Sequence, residues 1–292
     1  MDWVNAVVQG ILLGGVYALL ACGLSLMFGV MRIINLAHGD LAVVGSYLIL
    51  VAVDHTHVSP FLGFVMILPL MLVIGYLLQV LVLDRSMRGG LLTPILATFG
   101  LSVAIQNVLL RRFSPDVQSL GGDAGRITTA SWQVTSQISI SALGALTLGV
   151  AVVVIGGLHL FLTRTRRGAI MRATAQDVDV AGLVGINARA VYATATAVAV
   201  GVAALAGLFV GIRSSFTPTS GPDDLLFAFE AVVIGGLGSL WGTLLGGIAL
   251  GVAQTLGEQY NTQYSVLAGH VLFLLILATR RGGLLTSWEV AT

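Results

Sequence analysis

Long apolar runs separated by short polar interruptions set the rhythm of this chain. Residues 5–30 form one run and 41–53 a shorter second one. Residues 60–83 and 190–212 carry no charge, and 91–110, 140–162 and 264–279 complete the set. A helix needs about 20 apolar residues, at roughly 1.5 Å each, to cross a hydrocarbon layer of about 30 Å. The pattern therefore predicts an all-α polytopic membrane protein of about eight transmembrane helices. One run, 225–257, is too long for a single upright span and is interrupted by Gly235, Gly236 and Gly238. It is expected to be tilted, broken or re-entrant.

A second interruption lies early, in MRIINLAHGD at 31–40. Read as a cytoplasmic turn, it leaves 41–53 as a short second span, below the length a membrane needs. Read as a helix that begins nearer Asn35, it places Asn35, His38, Gly39 and Asp40 at or within the bilayer. Irregular backbone at that depth survives only beside protein or a water-filled cavity, and polar groups there are costly and usually functional. The segment is expected to start the second helix, with Asn35 and Asp40 able to cap helix ends and His38 able to bond across helices. Paired interrupted segments in two halves of a chain point to a transport site. Thr98, Ser102 and Gln106 add a polar stripe at i, i+4 and i+8 on the fourth span. Such a stripe lines a wet path or bonds a neighbouring helix.

Composition narrows the function class. Only 9% of the 292 residues are charged and the mean hydropathy is +0.97, far from the roughly 25% charged residues of soluble domains. The net charge of +1 gives no reason to expect nucleic-acid binding. All fourteen basic residues are Arg, so neither a phosphate-binding Walker lysine nor a Schiff-base lysine is available. Any ATP that drives this protein is hydrolysed by another chain. The single cysteine, Cys22, excludes an internal disulfide and reads as a small buried residue. The N-terminal run lacks a basic leader and is expected to be a retained first span. No catalytic residues and no metal ligands are assigned: DHTH at 54–57 reads as a solvated loop, and His159 and His270 read as packing residues.

Arginines orient the spans. Arg85 and Arg88 mark one short loop, and Arg164, Arg166, Arg167, Arg172 and Arg189 a longer one at 163–189. Both are cytoplasmic if the N-terminus is outside, which leaves 54–59, 111–139 and 213–224 external. Arg280 and Arg281 join the cytoplasmic side only if 225–257 returns to the side it entered from. The whole of 1–292 is read as one transmembrane domain. Within the 163–189 loop, Met171, Ala175, Val178, Ala181 and Leu183 fall near one helical face, and Arg172, Gln176, Asp177 and Asp179 mostly elsewhere. A short amphipathic helix there suits a protein partner. Glu230 reads as an interfacial residue at a helix end, with a buried carboxylate as the sharper alternative. Small-xxx-small pairs at Gly10/Gly14, Gly207/Gly211, Gly242/Gly246 and Gly247/Gly251 favour tight helix contacts.

Taken in order, GGVYALLACGLSLMFGVMRIINLAHGD at 14–40, ILATFGLSVAIQNV at 95–108, TRRGAIMRATAQDVDVAGLVGIN at 165–187 and PTSGPDDLLFAFEAVVIGGLGSLWGTLLGG at 218–247 resemble one family. It is the permease subunit of branched-chain amino-acid ABC importers, of the LivH type. The resemblance implies a multi-pass protein of the bacterial inner membrane, working with a second, LivM-type permease. It also implies two cytoplasmic ABC ATPases that bind the ATP and magnesium, no cofactor in this chain, and an external substrate-binding protein. It implies a coupling helix at 170–187, with Arg172, Ala173, Asp177, Asp179, Ala181 and Gly185 at the ATPase. It implies a path along Asn35, His38, Gly39, Asp40, Thr98, Ser102, Gln106, Gly235, Gly236 and Gly238. The neighbourhood LLFAFEA departs from a lysine common in the family, so other small hydrophobic amino acids or related small polar solutes stay open as substrates. An ion-coupled secondary transporter is the alternative from another class.

Overall fold

The computed structural model describes residues 2–90, 92–135 and 138–279; Arg280 and Arg281 lie outside the described residues. Helix α1 spans Asp2–Met31 and α2 His38–Thr56. Helix α3, Pro60–Leu78, runs through a π turn at Gln79–Leu83 into the three-residue α4, Asp84–Ser86. Helix α5 is Leu92–Phe113. A two-stranded antiparallel hairpin follows, β1 Ser131–Thr135 and β2 Ile138–Ser141. Then come α6 Ala142–Arg164, α7 Arg166–Gln176, α8 Val178–Leu183 and α9 Ala188–Arg213. The chain closes with α10 Gly221–Gly235, α11 Leu240–Tyr260 and α12 Ser265–Thr279.

Among the described residues eight helical segments are long and apolar enough to cross a membrane. Helix α10 is not one of them. Its 15 residues extend only about 22 Å at 1.5 Å per residue. The long run at 225–257 is therefore a half-helix and a full span, broken where Gly236 and Gly238 take positive φ values of 109° and 81°. A side chain would be strained at either position. DHTH is not a loop: Asp54, His55 and Thr56 form the last exposed turn of α2, and His57 follows it in the left-handed region. The 111–139 segment contains most of the β hairpin.

Close backbone approach builds the centre. Gly10 and Gly14 of α1 lie against Val252 and Ile248 of α11, and Gly247 and Gly251 lie against Ala18 and Gly10 in return. The pairing makes α1 and α11 antiparallel. Gly246 of α11 faces Ala231 of α10, and Gly235 faces Gly242, so α10 and α11 form a hairpin that returns to the side it entered from. Gly207 of α9 meets Ala42 and Ser46 of α2. Without a hydrophobic drive between helices in lipid, such contacts rely on van der Waals packing, and any added Cβ would separate the backbones. Cys22 is buried in this centre. Helices α3, α5, α6 and α12 surround it and keep apolar faces exposed, among them Val65, Leu96, Val153 and Leu274.

Candidate functional site

The early interruption is a re-entering segment. Helix α1 ends with Arg32 in the left-handed region at φ 55°, its amide donating to Phe28 O at 2.8 Å. The chain then runs back along α1 without helical bonds. His38 Nε2 meets Leu20 O at 3.1 Å, and a Cβ on Gly23 would touch the His38 ring. Those contacts lie eight to eleven residues from the end of α1, about 12–17 Å back into the bundle. Helix α2 thus starts inside the protein, and Asn35, His38 and Asp40 are buried while Arg32 stays exposed. Side chains satisfy the freed backbone. Asn35 Oδ1 accepts from Ala37 N at 3.0 Å, and Leu36 N donates to Thr98 Oγ1 at 3.2 Å. Buried amides left without such partners would cost about 1–3 kcal/mol each.

The α5 stripe faces this segment. Thr98 bonds the bend, and Gln106 Nε2 donates to Asp40 Oδ1 at 3.0 Å and to Ser102 Oγ at 3.1 Å. Asp40 also sits at the start of α10. Its carboxylate abuts Gly221, and Gly39 abuts the Gly221 carbonyl so closely that neither glycine has room for a Cβ. A carboxylate at a helix N-terminus is favourably placed against the helix dipole, and Asp223 and Asp224 stand in the same first turn. Asp40 Oδ2 is buried and has no hydrogen-bond partner among the described residues. Beside the cluster an almost wholly apolar groove of about 290 Å³ opens between the bend, α5 and α10, lined by Ile34, Leu36, Ile95, Leu225, Leu226 and Phe229.

The structure brings Asn35, His38, Gly39, Asp40, Thr98, Ser102 and Gln106 into one constellation. It does not bring Gly235, Gly236 and Gly238 to it. Those glycines lie at the opposite end of α10, where Gly235 packs on Gly242 and Thr243. The two interruptions lie at opposite ends of one half-helix rather than forming two walls of one cavity.

The long loop differs from one continuous helix over 170–187. Asp177 divides it into α7 and α8, because its carboxylate caps α8 by accepting from Asp179 N at 2.9 Å and Val180 N at 3.0 Å. Thr165 caps α7 in the same way, accepting from Gly168 N at 3.0 Å. Arg172 reaches back to Leu162 O at 2.5 Å and ties α7 to the end of α6. Met171, Ala175 and Ala181 are buried, but Val178 and Leu183 are not on that face: Leu183 is 87% exposed and Val184 73%. Ala173 and Asp179 are also exposed, and Gly185 turns the chain at φ 84°. A groove of about 330 Å³ runs between α7 and the start of α9, lined by Ile170, Met171, Gly185, Ile186, Ala190 and Val191.

Sequence reasoning misplaced or passed over three buried groups. Glu230 is not interfacial: it is 1% exposed, and its Oε1 lies 2.5 Å from His270 Nδ1. His270 is thus a hydrogen-bonding partner rather than a packing residue. Tyr17 donates to Gln254 Oε1 at 2.5 Å. Gln79, in the π turn, accepts from Thr196 at 2.7 Å and donates to Asp84 at 3.0 Å. A lone polar residue in each apolar run was the available signal, since burying it without a partner is unfavourable.

Comparison with known proteins gives the chain its relatives. Residues 6–279 match the family described as branched-chain amino acid transport system, permease component. The high-affinity branched-chain amino acid transport system permease protein BraD of Pseudomonas aeruginosa is 30% identical, covering 99% of this chain and 97% of that protein. The LivH permease proteins of the same description from Salmonella typhimurium and Escherichia coli K12 are 30% and 29% identical, each covering 97% of this chain and 95% of the relative. No solved structure matches.

Proposed function

The chain belongs to the permease family of branched-chain amino acid transport systems, and from that membership we propose that it is a membrane-spanning subunit of an ATP-driven importer in the bacterial inner membrane. Its cargo is a branched-chain or closely related small hydrophobic amino acid. A second permease completes the pore, two ATPases supply the energy and hold ATP and magnesium, and an external binding protein delivers the solute. The observation that carries this reading is a family match along nearly the whole chain, including the bend at 31–40 and the 165–187 loop.

The architecture supplies a mechanism. The α7–α8 pair and its groove seat an ATPase, with exposed Val178, Leu183 and Val184 as apolar contacts and Asp179 as a charged one. Arg172 and the capped turns at Thr165 and Asp177 make this element stiff enough to pass displacement to α6 and α9. On the other side, the β hairpin and the exposed end of α2 receive the binding protein. Alternating access then moves α10 relative to α2 and α5. The bend at Asn35–Asp40 and the stripe Thr98, Ser102 and Gln106 border the path, and the neighbouring apolar groove accommodates an aliphatic side chain. Gly235, Gly236 and Gly238 let the other end of α10 turn.

The test is uptake into proteoliposomes that contain this chain with its second permease, ATPases and binding protein. The reading predicts ATP-dependent accumulation of radiolabelled leucine, isoleucine or valine. Uptake by this chain without ATP, on an imposed proton or sodium gradient, would identify a secondary transporter instead.

A further inference from the structure

Glu230 and His270 are not part of the Asp40 constellation, yet they form a polar pair between half-helix α10 and the peripheral helix α12. Tyr17 stands at the midpoint of α1, and its ring lies 5.2 Å from Phe227. Phe227 in turn lies nearly parallel to His270, at 6.3 Å and 12°. Gln254 of α11 takes the Tyr17 hydroxyl and lies against Gly269, next to His270. Four helices therefore meet at one polar cluster, in which Tyr17, Glu230 and Gln254 are buried and the His270 side chain is 33% exposed.

The cluster is incompletely paired. Glu230 Oε2 and Gln254 Nε2 are both buried and have no hydrogen-bond partner among the described residues. One is an acceptor and the other a donor, on the two arms of the α10–α11 hairpin. Buried polar groups are normally paired, and an orphan calls for an explanation. Ionisable residues within spans are rare and mark functional positions. A buried acceptor and a buried donor on adjacent elements are chemically able to pair with each other in a second arrangement.

We infer that Glu230 is a positioning residue that ties the re-entrant half-helix α10 to α12 through His270 in one conformation, and to α11 through Gln254 in the other. The inference rests on the transport reading above. It gives α10 two discrete seats rather than a continuous range, which is what a two-state transport cycle needs. Because the start of α10 packs on Gly39 and Asp40, the seat of Glu230 sets the shape of the candidate path from the opposite face of the helix.

The test uses the fully reconstituted importer and reads moles of solute taken up per mole of ATP hydrolysed. Glu230→Leu and His270→Leu should lower that ratio about tenfold while ATP hydrolysis continues. Glu230→Gln keeps the acceptor and His270→Asn keeps a donor near the Nδ1 position, so both should stay within about threefold of wild type. Gln254→Leu removes the second seat and should also lower the ratio, with the Glu230–His270 pair intact. Wild-type ratios in the leucine variants would overturn the inference, as would conservative variants that fall as far as the leucine ones. If the leucine variants at 230 and 270 do not assemble, Gln254→Leu decides: a lowered ratio supports the exchange, and an unchanged ratio overturns it. Failure of the wild-type complex to import with ATP would count against the transport reading itself.

Discussion

The Asp40 and Glu230 constellations each bury a carboxylate and each cross helices, but they are built from different material. The first is a bend of backbone, residues 32–37, whose freed amides are answered by Asn35 and Thr98, followed by Asp40 of α2, whose carboxylate accepts from Gln106. It stands beside an open apolar groove. The second uses side chains only, on four helices with intact backbone ladders, and is walled by Phe227 and Tyr17. A bend can change its backbone course and so alter the space beside it. A side-chain cluster on regular helices can only exchange partners. Under the proposed reading, the first borders the path and the second controls helix position.

The largest expected effect comes from closing the bend against α10. Gly39→Leu places atoms where the Gly221 carbonyl stands, and backbone cannot yield as a side-chain tip can. Overpacking costs about 1–3 kcal/mol in ordinary cores and more where backbone must move. A fall in Tm in detergent and loss of assembled complex are expected; a wild-type Tm would show that α10 is loosely seated.

Gln106→Leu is next. It removes the Gln106 donor to Asp40 Oδ1, while Oδ2 already has no hydrogen-bond partner among the described residues. The cost is about 1–3 kcal/mol. If this cluster borders the path, ATP-driven uptake should fall several-fold while hydrolysis in the assembled complex persists. Unchanged uptake would demote the stripe to helix packing.

Tyr17→Phe should do least. It keeps the ring against Phe227 and loses one hydrogen bond to Gln254. Hydrogen bonds within membrane bundles average about 0.6 kcal/mol. A small fall in Tm with uptake within about twofold of wild type is expected. A larger loss of uptake would move the path toward the second cluster.

The same contrast explains what the sequence reveals. A bend must interrupt an apolar run, so MRIINLAHGD announces itself, and the stripe at i, i+4 and i+8 follows from helical spacing alone. The positive-φ glycines at 236 and 238 mark where the 225–257 run breaks. The pairing of Glu230 with His270 is not legible, because each is a single polar residue in its own apolar helix and nothing local states which helix will be its neighbour. Asp177 splits the 163–189 loop because its side chain offers the backbone a cap, which an amphipathic count over 170–187 does not weigh. That Gly235–Gly238 lies away from Asn35–Asp40 depends on the length of α10, a property of the folded hairpin.

The central claim, that the bend and the α5 stripe border a path wetted during transport, is tested most directly by Ser102→Cys in a Cys22→Ser background. Ser102 is 6% exposed and bonded to Gln106, and Cys22 is the only native cysteine. The reconstituted importer would be treated with a membrane-impermeant thiol reagent, with and without ATP turnover. The account predicts labelling that rises during turnover and is reduced by transported solute. A thiol that stays unlabelled in every state, while the same preparation imports at a normal rate, would contradict it.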